Sequence, residues 1–188
     1  MTDSLYKFGS FAASGTEEAF HYGNTWARDT DCTPQRLVIA PASGHISLLR
    51  SLMDVMRDPF GVLYVLVVPR SQLPGRYECP SPTSRGDAIS FFQAFGDFFE
   101  HDGRCNVWLG AFDSSSLLVY DRHNVLYAYG PLDEFVRVLN AMGYTEVSKI
   151  TFPAPHAHHY HPELDAVERQ LLKYWEWKHF PLQPGDES

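Results

Sequence analysis

The chain has 188 residues, 44% of them hydrophobic, and a formal net charge of −8, which is typical of one acidic globular domain with a core of its own. This charge argues against a general nucleic-acid binder, because neutralising phosphates requires clustered Lys and Arg. The longest apolar run, 62–68, is too short to span a bilayer. The sequence has three cysteines and no secretion-signal pattern, which predicts a cytoplasmic protein with reduced thiols.

The first third of the chain predicts an arm followed by a strand, a helix and a second strand. Aromatic residues in 1–35 follow neither a period of 2 nor one of 3.6, which predicts an irregular arm that packs onto the core. Residues 36–40 predict a short buried strand, 44–57 a helix and 62–68 a central strand covered on both faces. If the two strands are neighbours, they are expected to run parallel.

The middle of the chain predicts a helix, an antiparallel meander and another helix. Phenylalanines at helical spacing predict a buried helix over 87–101, with Asp87 as its N-cap and Gly103 as a left-handed C-terminal cap. Within 106–130, three runs rich in β-branched and aromatic residues are separated by two sets of turn-forming residues, the pattern of a meander. A Gly-Pro pair then opens a helix over 131–142.

The last part of the chain predicts a strand, a helix and a polar tail. Residues 148–152 favour a strand, 162–177 a helix that begins with Pro, and 181–188 a frayed tail. The whole sequence therefore predicts a single α+β domain over 1–188. Its fold is expected to contain about four helices and one mixed, mainly antiparallel sheet of about five to seven strands.

A histidine run just before the last helix is the strongest candidate for a metal site. His156, His158, His159 and His161 fall within six residues, and imidazole is the commonest metal ligand. In an extended chain the first two point to one face and the last two to the other, so no more than two can serve one site. The spacing matches no helical zinc motif, and the alternative is a polar segment that joins the last strand to the last helix.

The turn between the second and third runs of the meander is the second candidate. It reads Asp121-Arg122-His123-Asn124, in which Asp and Asn are ordinary turn residues while His123 is suited to acid–base chemistry with Asp121 as its partner. Asp121 and His123 are also the available residues that could complete a site begun by the histidine run. The two candidates form one site only if they lie close together in the fold.

Two classes of function remain. The first is a non-catalytic module that binds a protein partner, as small acidic toxin-immunity proteins do; this is an analogy of size and charge alone. An acidic window over 86–103 is a candidate surface for a basic partner. The second is a metal-dependent enzyme, for example a hydrolase, that holds a divalent metal such as zinc with the histidine run and uses Asp121 or His123 for acid–base chemistry. No motif indicates an organic cofactor, because the glycines are dispersed singly.

Overall fold

A computed structural model describes residues 5–112 and 114–186, and in these residues the chain forms two β-sheets and four α-helices. The strands are β1 (Phe8–Phe11), β2 (Glu17–Ala19), β3 (Thr25–Asp29), β4 (Arg36–Ala40), β5 (Phe60–Leu66), β6 (Gly75–Glu78), β7 (Cys105–Ala111), β8 (Leu117–Tyr120), β9 (Leu126–Tyr129), β10 (Thr145–Glu146), β11 (His156–His158) and β12 (Lys178–Phe180). The helices are α1 (His45–Met53), α2 (Arg85–His101), α3 (Leu132–Ala141) and α4 (Asp165–Leu171), the last preceded by a 3-10 turn at Pro162–Leu164.

The strands are divided between a large and a small sheet. Nine of them form the large sheet in the order β10-β3-β4-β9-β8-β7-β5-β6-β12, and the others form a small sheet in the order β11-β1-β2. Within the described residues, β10 and β3 are the parallel pair, and the other neighbours are antiparallel. The predicted mixed α+β architecture is confirmed, but five to seven strands are too few. Apart from β3, which has five residues, the additional strands are two to four residues long, too short to show a periodic pattern.

The predicted meander is confirmed as β7, β8 and β9, which lie side by side in the large sheet. Trp108 lies opposite Val119, which lies opposite Tyr127, so these three side chains share one face. Leu109 and Leu118 point to the other face and are fully buried. The strand expected at 62–68 is β5, which lies between β7 and β6. It is not a neighbour of β4, because the whole meander separates the two strands.

The helices bury their apolar side chains in one core together with one face of the large sheet. Helices α2 and α3 match the predicted 87–101 and 131–142 closely. Helix α1 ends at Met53 instead of residue 57, and α4 ends at Leu171 instead of residue 177. No helix in the described part of the chain is both long and apolar enough to cross a bilayer.

Aromatic packing explains why the last helix is shorter than predicted. Trp175 stacks on Phe91 of α2 with the ring centroids 4.7 Å apart, and Trp177 packs edge-on against the same ring. The chain leaves the helix to make these contacts and continues as β12 along the edge of the sheet. The periodicity of 162–177 therefore reflects burial against α2 and not a continuous helix.

The two ends of the chain are more ordered than the sequence predicts. The expected irregular arm contains β1, β2 and β3, of which β1 pairs with β11 and β3 belongs to the large sheet. In the expected frayed tail, Asp186 is buried and receives hydrogen bonds from Arg76, the shorter two at 2.8 and 2.9 Å. Residues 187 and 188 lie outside the described residues. Both ends therefore pack against the face of the large sheet opposite the helices.

Candidate metal centre

The fold brings the two candidate segments of the sequence together. His123 from the β8–β9 turn meets His156 and His158 of β11, and one ring nitrogen from each lies within 4.8 Å of the others. The ring centroids of His123 and His158 are 4.8 Å apart, and those of His123 and His156 are 5.4 Å apart. These three imidazoles, called here the histidine cluster, come from segments more than thirty residues apart in the chain.

The other two histidines of the run point away from the cluster, as alternation along an extended chain requires. His159 Nε2 contacts the carboxylate of Glu17, and its ring packs against Tyr6. His161 contacts the carbonyl of Tyr6 through Nε2, at 2.9 Å, and donates its backbone N–H to Asp102. Of the four histidines expected to bind metal, two therefore lie in the cluster and two serve to attach the run to its neighbours.

Backbone contacts fix the position of β11. Phe8 lies opposite His158 in the small sheet, and Gly103 donates its N–H to the carbonyl of His159 at 2.8 Å. Gly103 was expected to adopt a left-handed conformation, but its φ is not positive. Its missing side chain matters for a different reason: a Cβ there would lie 3.0 Å from the carbonyl of Lys7 and 3.2 Å from that of His159. Glycine thus allows the end of α2 to touch the histidine run.

Asp121 orients His123. One carboxylate oxygen accepts the backbone N–H groups of His123 and Val125 at 2.9 and 3.0 Å. The other lies 3.0 Å from His123 Nδ1 and 3.4 Å from the hydroxyl of Tyr127. With Nδ1–H donated to the carboxylate, the lone pair of His123 resides on Nε2, the arrangement that proteins use to prepare a histidine ligand.

His156 and His158 are also prepared to bind a cation. His156 Nδ1 lies 2.9 Å from the carbonyl of Pro153, which leaves Nε2 with the lone pair. Both ring nitrogens of His158 are buried and have no hydrogen-bond partner among the described residues. Burial, followed by the nearby charge of Arg122, lowers the pKa of His158 to about 3 and keeps the ring neutral. A buried unpaired nitrogen is costly, and a bound ion would satisfy it.

The buried Lys7 joins the two halves of the site. Its Nζ donates to the carbonyls of Phe99 and Asp121 at 2.9 and 2.8 Å and lies 3.7 Å from the centre of the Tyr120 ring. Burial lowers the pKa of Lys7 to about 8. The Lys7 side chain thus links two parts of the fold. One is β1, which pairs with β11, and the other is the turn that contains His123. No pattern in the sequence points to Lys7, because it is one lysine in an arm rich in aromatic residues.

The dimensions of the cluster suit a zinc-like ion. Such an ion takes imidazole nitrogens at about 2.0–2.1 Å, which places tetrahedral ligands about 3.4 Å from one another. The nitrogens lie within 4.8 Å of one another, so rotations that move each of them by less than about 1 Å would bring them to this spacing. Three protein ligands leave a fourth position open, as in catalytic zinc sites; structural sites use four.

The cluster opens onto a cleft of about 580 Å³ on the face of the large sheet opposite the helices. His123 and His156 line one part of this cleft. Trp108, Tyr127 and Phe152 line its walls. Further lining residues are Arg36, Asn106, Leu117, Val119, Asp121, Tyr129, Gly185 and Asp186. The sequence did not single out Arg36, Trp108 or Phe152, which come from three distant segments and converge only in the fold.

Comparison with known proteins yields no relative: no protein-family model, no curated protein and no solved structure matches this chain.

Proposed function

We propose that the protein is a metal-dependent enzyme, a hydrolase, that holds a zinc-like ion with His123, His156 and His158. The observation that supports this most strongly is the convergence of three imidazoles from two separate segments at the side of a cleft, one of them with both ring nitrogens buried and unpaired. Clefts with a few converging polar groups are the usual location of active sites.

The residues around the cluster have separable roles in this proposal. A bound ion would supply Lewis acidity and lower the pKa of a water in its open position to about 7. His123 is then a ligand, not an acid–base residue. Asp121 is a positioning residue, because all the described hydrogen bonds of its carboxylate are with His123, Val125 and Tyr127. The walls of the cleft hold the substrate beside the ion.

The protein-binding hypothesis stays a prediction, and the described residues favour it less. Two of the four carboxylates in the acidic window over 86–103 form hydrogen bonds or ion pairs with other parts of the protein. Asp102 is fully buried against Arg104, with their nearest atoms 2.7 Å apart, and Glu100 accepts the backbone N–H of Ile46 at 2.7 Å. Asp97 is exposed, as is Asp87, which binds Ser84 at the start of α2. The surface offered to a basic partner is therefore smaller than the sequence suggests.

Metal analysis of protein purified without an affinity tag tests the proposed site. We expect one equivalent of zinc after loading and dialysis. The His158→Gln variant is expected to lose at least about a hundredfold in zinc affinity, since losing an outer-shell partner alone costs about 10–100-fold. His159→Gln is the matched control, because it removes a histidine of the same run that lies outside the cluster. Substoichiometric zinc in the wild type, or equal losses in both variants, would refute the site.

Enzyme activity requires its own measurement. The zinc-loaded and chelator-stripped proteins should be compared on a panel of chromogenic carboxylic and phosphoric esters. We expect hydrolysis only by the loaded wild type, with His158→Gln inactive and His159→Gln active. A protein that binds one zinc but hydrolyses no ester in the panel would contradict the hydrolase proposal while leaving the metal site intact.

A further inference from the structure

We infer that the centre acts on an organic anion, whose anionic group is bound by Arg36 and whose apolar, planar part lies in the cleft. This inference rests on the proposed function for the reacting end of the substrate. The binding of the anion itself rests on the cleft alone, so the two can be tested apart.

Arg36 presents a free side of its guanidinium group. Nε donates to Asp29 at 2.8 Å, and Nη1 donates to the hydroxyl of Tyr129 at 3.0 Å. Nη2 donates to no described residue, so N–H groups on the edge formed by Nη1 and Nη2 are available to bind a ligand. This edge has the fork geometry that binds a carboxylate or a phosphate through two parallel hydrogen bonds. Asp29 and Tyr129 restrict the rotation of the side chain, which reduces the entropy lost on binding.

One tyrosine connects this arginine to the histidine cluster. The guanidinium carbon of Arg36 lies 4.4 Å from the centre of the Tyr127 ring, and the hydroxyl of the same ring lies 3.4 Å from Asp121. Asp121 in turn holds His123. Arg36 and the cluster therefore lie in the same cleft, joined by the side chains of Tyr127 and Asp121, so one ligand in the cleft can contact both.

The charges around the cleft favour a negative ligand. Three neutral imidazole ligands would not reduce the charge of +2 of a divalent ion. The carboxylate of Asp121, next to His123, would offset one of these two charges. Asp186, the other carboxylate that lines the cleft, is already paired with Arg76 at 2.8 Å. With a divalent ion bound, the cleft would thus be a positive region of a protein whose overall charge is −8. Such a local field would attract an anion that the rest of the surface repels.

The walls of the cleft suit a planar, apolar group. Trp108 lines the cleft from the meander, and Phe152 packs edge-on against His123 with the ring centroids 5.4 Å apart. Phe152 therefore lies at the reacting end. Aromatic rings prefer to pack against other rings in edge-on or offset arrangements, which selects a flat substrate over a branched one.

Calorimetric titration of the zinc-loaded full chain tests this inference with three probes: 2-naphthoate, 2-naphthyl phosphate and the neutral 2-naphthalenemethanol. We expect the wild type to bind at least one anion about tenfold or more tightly than the alcohol, as a charge-assisted bidentate contact provides. Arg36→Gln should reduce this preference to about twofold, and Arg36→Lys, which keeps the charge without the fork, should lie between. Arg28→Gln is the control, because Arg28 pairs with Asp133 outside this cleft.

The outcomes separate this inference from the proposed function. Equal binding of the alcohol and both anions, or an anion preference that survives in Arg36→Gln, would overturn the assignment of Arg36. A preference for the phosphate over the carboxylate would support the inference and assign an aryl phosphate as substrate; the reverse would assign an aromatic acid. If the protein takes up no zinc but its anion preference still depends on Arg36, anion recognition stands and the metal-dependent function fails.

Discussion

Replacing Asp121 by Asn removes a charge while nearly preserving the shape of the side chain. The variant tests whether Asp121 orients His123 and keeps its Nε2 free to bind a metal. The carboxylate of Asp121 lies within hydrogen-bonding distance of four donor groups, two of the backbone and two of side chains, and it is buried. An amide presents one oxygen and one NH₂ group, so in either orientation two of these donors would face N–H. If the NH₂ group faces His123 Nδ1, the proton of the imidazole is driven to Nε2 and blocks the metal.

The expected loss of zinc affinity is about 10–100-fold, or about 1.4 to 2.7 kcal/mol. Stability should also fall, by about 1.5–3 kcal/mol, because the lost hydrogen bonds involve a charged acceptor. Zinc affinity is measured by competition with a chromogenic chelator, and stability by urea unfolding of the metal-free protein.

Asp186→Asn is the matched control. Asp186 is also a buried carboxylate that lines the cleft, but it pairs with Arg76 and contacts no histidine of the cluster. This variant is expected to lose stability and to keep its zinc affinity within about threefold, because no metal ligand loses its orienting partner. Equal zinc affinity in Asp121→Asn and the wild type would refute the role of Asp121, as would equal losses in the two variants.

Three further predictions concern the groups that hold the site in place. The pKa of Lys7, about 8, lies below its unfolded value, so the folded state releases this proton at a lower pH than the unfolded state does. The free energy of unfolding of the wild type should therefore rise by about 1 kcal/mol from about pH 7 to about pH 9. Lys7→Met should lack this rise in urea unfolding, and a similar rise in the variant would contradict the prediction. The window ends there because burial raises the pKa of Cys105, and ionisation of this thiol in the unfolded state alone offsets a further rise. Burial lowers the pKa of His45, so metal-free wild type should lose stability as the pH falls below about 6.5, and His45→Phe should reduce that loss measurably; an unchanged slope would refute it. Gly103→Ala should cost about 1–3 kcal/mol in urea unfolding, because its Cβ meets two backbone carbonyls. Gly86→Ala in helix α2, where a Cβ would make only an ordinary contact with Ser84, should instead stabilise by about 0.5–1 kcal/mol, and equal effects would exclude the packing explanation.

Sequence periodicity predicted the elements whose burial is strong and local. The Phe-rich stripe of α2, the stripe of α3 and the three runs of the meander each bury a regular face, so their spacing alone identifies them. Periodicity failed where a segment is short or where burial comes from a distant partner. Strands β2, β10 and β11 have two or three residues each, and the extension of the last helix to residue 177 was wrong because Trp175 packs against Phe91.

The sequence by itself determined which residue types are available for chemistry and how the histidine run divides. Alternation along an extended chain puts His156 and His158 on one face, and this follows from backbone geometry alone. Only the tertiary structure decided that this face meets His123, because the pairing of β1 with β11 and the buried Lys7 depend on contacts between segments far apart in the chain. The cleft beside them is likewise a product of the fold, since no local pattern records that its walls converge.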